Sequence, residues 1–144
     1  MVYPARNNKF EINTAADGKA ENYVEIKDVE SYSVAIDGTV EEWHAYDAEG
    51  WVKRLLTAKS ITISLSGKRN VGDPGNDYVA NKLMGLAEET ASKMKWTLPS
   101  GAVLLMSCVI NLTTPGGGEA TAVDGLEAEF LSNGKPDFTP AAAS

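Results

Sequence analysis

The chain has 144 residues, 43% hydrophobic and 23% charged, with 13 Lys and Arg against 20 Asp and Glu, for a formal net charge of −7 and a sequence pI near 4.7. That length supports one compact core rather than two ordinary domains, and the balance is that of a folded chain rather than a disordered one. No run reaches the ~20 apolar residues of a membrane-spanning helix, the opening Met-Val-Tyr-Pro-Ala-Arg lacks the apolar centre of a secretory signal, and a single cysteine gives no internal disulfide and fits a reducing cytoplasm.

The elements read mostly as strands. Phe10 and Ile12 mark a short first strand after a polar leader. Tyr23–Val29 follows, and then Ser31–Ile36, where Tyr32, Val34 and Ile36 alternate with Ser31, Ser33 and Ala35, the period-two pattern of a strand with one buried face. Asp37-Gly38 is turn chemistry, so Thr39–Tyr46 is expected to return as a separate strand bearing Trp43. Residues 47–58 are poor in strand signal and predict a projecting loop. Ile61, Ile63 and Leu65 alternate with Ser60, Thr62, Ser64 and Ser66 in the clearest half-buried strand of the chain. Asp73-Pro74-Gly75-Asn76 is a turn, and Asn76 or Asp77 is placed to cap a helix starting near Tyr78. Val79, Leu83 and Leu86 give that helix an apolar stripe for packing on a sheet, with its end expected near Ala87 because Gly85 weakens the last turn.

Met94, Trp96 and Leu98 alternate with Lys93, Lys95 and Thr97 as another half-exposed strand. Pro99-Ser100-Gly101 turns into Ala102–Leu112, apolar on both faces and so expected in the middle of a sheet. Thr114–Gly118 reads as a flexible hairpin tip, Thr121–Phe130 as the last long strand, and the segment about 133–144 as an extended tail. There is no repeat and no heptad. The expected fold class is mainly β: a sandwich or rolled barrel with one flanking helix, over residues 1–144 as a single domain.

Catalytic chemistry finds little to work with. The chain has one histidine, His44, and one cysteine, Cys108, which falls mid-strand in the most apolar segment, where a small buried hydrophobe is the ordinary role. There is no Gly-x-Ser-x-Gly elbow. One His and one Cys suggest no zinc spacing, and Asp73, Asn76 and Asp77 lack the alternate oxygens and twelfth-position Glu of a calcium loop. Ser66-Gly67-Lys68 lacks the earlier glycine of a phosphate loop, where Thr62 stands. Glu41-Glu42 and Glu88-Glu89 read as solvated faces. No catalytic residue, metal or cofactor is expected. Basic residues are scattered, with Lys53-Arg54 and Lys68-Arg69 the only doublets, so phosphate-neutralising affinity for nucleic acid is not expected either. An acidic surface would instead let DNA slide past without sticking.

Several residues carry a family likeness: Trp43, Gly50-Trp51, Lys59-Ser60, the Ile61/Ile63/Leu65 strand, Gly67-Lys68-Arg69, Gly72-Asp73, and Gly75-Asn76-Asp77-Tyr78. Through them the middle third of the chain resembles the major tail tube proteins of tailed bacteriophages and of phage-tail-like bacteriocins. Pro99–Leu112 and Ser132-Asn133-Gly134-Lys135-Pro136 extend the likeness. The resemblance implies a structural, non-enzymatic subunit of a virion tail, assembled in the bacterial host cytoplasm, with hexameric rings stacking into a hollow tube. It implies self-association, tape-measure, baseplate or tail-terminator and sheath proteins as partners, DNA passing without specific binding, and no membrane. Subunit contacts are expected at Trp43, Gly50, Trp51, Lys53, Arg54, Leu55, Lys68, Arg69, Asp73 and Asp77. An acidic lumen is expected at Ser60, Thr62, Ser64, Glu127 and Glu129. Two other classes stand beside this one. A secreted carbohydrate-binding β-sandwich would use Trp43, Trp51 or Trp96 as stacking platforms, and a small hydrolase would use paired carboxylates.

Overall fold

A computed structural model of the chain describes residues 1–15 and 19–141. Eight strands and one α-helix build it: β1 (Lys9–Asn13), β2 (Tyr23–Glu25), β3 (Val29–His44), β4 (Val52–Lys68), α1 (Pro74–Ala80), β5 (Ala91–Thr97), β6 (Val103–Thr114), β7 (Gly125–Ser132) and β8 (Asp137–Thr139). All pairs are antiparallel, in the order β2-β1-β5-β6-β7-β4-β3, with β8 also on β6.

β6 organises the sheet because it pairs differently along its length. Its first part, Val103–Val109, takes β5 on one side; on the other side β8 pairs Val103–Leu105 and β7 pairs Cys108–Thr114. The sheet then curls until its far strand comes back. Tyr32 of β3 meets Phe10 of β1 and Trp96 of β5, with ring centroids 5.0 and 6.3 Å away, and Phe10 stacks on Trp96 at 6.0 Å. The core lies inside that curl: Phe10, Ile12, Ile63, Leu65, Met94, Leu104, Met106, Ile110, Ala128 and Phe130 are all buried. The alternation read from the sequence therefore holds in β1, β4, β5 and β7, and the fold is the expected mainly-β rolled sandwich with a flanking helix. β6 is central in the sheet, but only one of its faces is buried: Leu104, Met106, Cys108 and Ile110 point in while Ser107, Val109 and Asn111 face solvent.

Three expectations change. First, Asp37-Gly38 is no turn. β3 runs unbroken from Val29 to His44, with Asp37 opposite Ser60 and Gly38 opposite Lys59. A Cβ on Gly38 would lie 2.8 Å from Leu56 Cδ1, so the glycine makes room for a cross-strand side chain rather than a bend. The reversal comes at 45–51, where Glu49 and Gly50 both take positive φ, 54° and 87°. Second, residues 52–58 are strand rather than loop. Third, the helix is earlier and shorter. Asp73 caps it, its side chain accepting from Asn76 N at 3.0 Å. Past Asn81 the hydrogen bonds tighten to three-residue spacing, so the helix stops and Leu83 and Leu86 lie exposed while only Val79 of the expected stripe is buried. The tail folds back in part, with Val103 opposite Thr139 and Leu105 opposite Asp137; residues 142–144 lie outside the described residues.

Candidate assembly surfaces

Two surfaces stand out, and both come from the β3–β4 hairpin. β7 pairs with β4 only from Thr62 to Lys68, yet β3 and β4 continue pairing with each other from Ile36–Ile61 out to His44–Val52. Eight residue steps at ~3.3 Å make a two-stranded arm about 26 Å long. Among the described residues it has no neighbour on either edge. Its apolar residues lie on both faces. Ile36, Val40, Leu56 and Val52 extend the core face outward, and Trp43 and Leu55 occupy the other. Trp51 is 78% exposed and Tyr46 wholly so at the tip. A free two-stranded ribbon is marginal in water, and exposed aromatics of this size are the composition of an interface core.

The expected contact residues Trp43, Gly50, Trp51, Lys53, Arg54 and Leu55 all fall on this arm. Arg54 Nε binds Glu42 Oε1 at 2.8 Å across the ladder, and Lys53 pairs with Asp47 at 3.6 Å. Both pairs are exposed and worth at most ~1 kcal/mol.

The second surface is the outer face of the β3-β4-β7-β6 half of the sheet. Ser31 and Ser33 of β3, Thr62, Ser64 and Ser66 of β4, Glu127 and Glu129 of β7, and Asn111 and Thr113 of β6 share it, since Ser33, Ser64, Glu129 and Asn111 lie in one cross-strand row. Hydroxyls hold Glu127 in place: Ser66 Oγ donates to its Oε1 at 3.2 Å and Thr114 Oγ1 to its Oε2 at 3.2 Å. The structure therefore brings Thr62, Ser64, Glu127 and Glu129 onto one face, with Ser60 just beyond at the root of the arm. No basic side chain occupies the rows of this face from Thr62 to Ser66. The lateral edges of this half-sheet are unpaired among the described residues: β3 has only β4 from Val29 to Ala35, and β6 past Val109 has only β7.

Lys68, Arg69, Asp73 and Asp77 sit at the opposite end, away from the arm. Lys68 pairs with Glu30 at 3.2 Å on the surface. The other three serve an internal network around Asn76, which is 1% exposed. Asn76 Nδ2 donates to Lys68 O at 2.9 Å and Lys27 O at 3.2 Å, while its Oδ1 accepts from Asn70 N at 3.0 Å and Arg69 Nη1 at 2.8 Å. Arg69 Nη1 also reaches Asp77 Oδ1 at 2.7 Å. That guanidinium, with the Gly72 N–H behind it, holds the Asp77 carboxyl below its ordinary value. Asp73 Oδ2 accepts from Lys27 N at 3.2 Å as well as capping α1. These contacts lock the helix to the β2–β3 and β4 ends within one subunit.

The reactive side chains are dispersed. Cys108 is buried, and desolvation pushes its thiol up to about 12. His44 lies exposed at the far end of β3. Trp96 is half-buried, its indole N–H donating to Asn8 Oδ1 at 2.9 Å and its ring packed on Phe10 and Tyr32, whereas Trp43 and Trp51 are exposed. Among the described residues no three His, Cys, Asp or Glu side chains converge as a metal site.

Solved structures that superpose on this chain include three from assembled particles. A chain from the tail of an empty gene transfer agent particle, refined with C6 helical symmetry, superposes with a TM-score of 0.74 at 14% identity, over 96% of this chain and 100% of that one. This chain shares the fold of that tail chain. A chain from the virion of a native gene transfer agent particle gives 0.72 at 14% identity, over 96% and 100%. A chain from the tube-terminating cap of the anti-feeding prophage gives 0.66 at 14% identity, over 98% and 93%. No family model matches the sequence, and no curated protein matches it.

Sequence reading missed Ile36, Val40, Tyr46 and Leu56 on the arm and Ser31, Ser33 and Asn111 on the polar face. The available signal was partial: Tyr32, Val34, Ile36 and Val40 keep one parity across Gly38, but Glu42 breaks the pattern and Trp43 falls on the opposite face.

Proposed function

We propose that this chain is the structural subunit of a tail tube in a phage or phage-tail-like particle, one domain that polymerises as stacked rings around an acidic bore through which DNA passes without being bound. The observation that carries the reading is the four-strand half-sheet with two unpaired lateral edges and an outer face that is polar and acidic in the Ser64 and Ser66 rows, with Leu131 and Val109 exposed beside Thr62. Side-by-side pairing of β3 in one copy with the free part of β6 in the next removes both edges by closure. The polar face then turns toward the axis. With six copies, the symmetry of the gene transfer agent tail, four strands each at ~4.8 Å close a barrel with a backbone diameter of about 37 Å, and strand tilt widens it. That leaves room for a duplex after side chains are added, and Glu127 and Glu129 repel its phosphates.

The arm supplies the contacts between subunits or rings through Trp43, Trp51 and Leu55. The subunit does no chemistry of its own. Tape-measure, baseplate or terminator and sheath proteins would set length and ends, within a virion tail built in the host cytoplasm. Negative-stain electron microscopy of the purified chain with light scattering tests this: tubes or stacked rings of uniform width support it. A monomer at every concentration that binds glycans through Trp43 or Trp51 would replace it with the carbohydrate-binding reading.

A further inference from the structure

The arm leaves behind it an unfilled recess. At the end of the sandwich where β3 and β4 part from β7, Ile36, Trp96, Leu104 and Phe138 line an open apolar hollow of about 860 Å³, with Lys59 and Lys135 at its rim. Ile36 is 62% and Phe138 58% exposed there, so the hollow lacks a cover. Neither lysine forms an ion pair among the described residues. The opposite end of the sandwich is closed by α1, whose Val79 is buried in the core.

We propose that the tip of the arm from a second copy of this chain seats in this recess. The proposal rests on reading the arm as an assembly element, and it adds the place where the tip docks. Three observations select the occupant. The tip presents Tyr46 and Trp51, large, exposed and unburied by its own subunit, to match an apolar hollow. Its charge is opposite to the rim: Glu41, Glu42, Asp47 and Glu49 outnumber Lys53 and Arg54 on the arm, and after Lys53 pairs with Asp47 and Arg54 with Glu42, Glu41 and Glu49 remain outside any ion pair among the described residues. A subunit's own tip cannot fill the hollow, because the arm is rooted at its rim through the Ile36–Ile61 pair and would have to break its ladder to turn back. Tip and recess are different surfaces of one chain, so each copy both gives and receives. That is a head-to-tail contact, the kind that closes a ring or propagates a filament.

Two full-length chains test the docking, one carrying Glu49→Cys and the other Lys135→Cys, with the buried Cys108 left in place. Mixed under assembly conditions and oxidised, they should give a disulfide-linked pair at least tenfold above a control in which Glu49→Cys is mixed with Glu127→Cys. Charge reversal by Lys59→Glu with Lys135→Glu should cut polymer mass at least tenfold, and a partner carrying Asp47→Lys with Glu49→Lys should restore it. Polymers that form without the 49–135 link overturn the docking while leaving the tube reading standing. A mixture giving neither polymer nor link overturns both.

Discussion

Asn76→Ala is the sharpest test of how the subunit holds its shape. The residue lies at the joint of α1, the end of β4 and the loop between β2 and β3, and its amide makes four hydrogen bonds. Truncation leaves the Lys27 and Lys68 carbonyls and the Asn70 N–H without this partner in a site closed to solvent; Arg69 retains Asp77 and the Asn70 carbonyl. At ~1 kcal/mol for each of the three neutral bonds, the loss is about 3 kcal/mol. An unfolding entropy of ~2.1 cal/mol/K per residue gives about 0.3 kcal/mol/K for a chain of this length, so Tm should fall by roughly 10 °C. The assay is thermal unfolding followed by circular dichroism, at a concentration where light scattering reports monomer. Asn76→Asp keeps the acceptor but sets a second carboxylate oxygen against the Lys27 and Lys68 carbonyls, so it should be no more stable than Asn76→Ala. A loss below about 1 kcal/mol in Asn76→Ala would refute the argument that this joint is held by the amide.

Other perturbations separate folding from assembly. Gly67→Ala and Gly75→Ala each place a Cβ against backbone, 2.0 Å from the Asp28 carbonyl oxygen and 2.3 Å from that of Glu25. Each should cost at least the ~1–3 kcal/mol of overpacking, read by urea unfolding; a neutral Gly75→Ala would contradict the close approach of α1 to β2. Because Arg69 depresses the Asp77 carboxyl, that pair's stabilisation is present above the ordinary aspartate value of ~3.9 and is lost as pH falls through the depressed folded value. The Tm gap between wild type and Asp77→Asn should therefore be constant near neutrality and shrink below about pH 4, and a gap independent of pH counts against the pairing. Trp51→Ser with Leu55→Ser should leave monomer stability within about 0.5 kcal/mol, since both side chains are exposed, yet abolish polymerisation seen by sedimentation. A variant that still polymerises would remove the arm from the assembly.

The half-sheet was legible because its pattern is local. Ile63 and Leu65 against Ser64 and Ser66, or Leu126, Ala128 and Phe130 against Glu127 and Glu129, declare an inside and an outside in six residues. The expected lumen residues consequently share one face. The arm was not legible in full, because Asp37-Gly38 carries a turn signal that only the cross-strand ladder overrides, and nothing near Gly38 in sequence announces Leu56 beside it. The helix was misplaced for a related reason. Asp73, Asn76 and Asp77 were all recognised as capping or turn residues, but the backbone of Lys27, distant in sequence, bonds both the Asp73 cap and the Asn76 amide and so marks Asn76 as the buried hub. Arg69 and Asp77, expected at subunit contacts, are likewise drawn inward by a partner eight residues apart.

Helical reconstruction of the polymer by cryo-electron microscopy tests the central claim most directly. The expected result is rings whose bore is lined by the outer face of β3, β4, β7 and β6, with Ser64, Glu127 and Glu129 toward the axis and β3 of each copy beside β6 of the next. A bore lined by basic residues, or a polymer in which that face points outward, would contradict it.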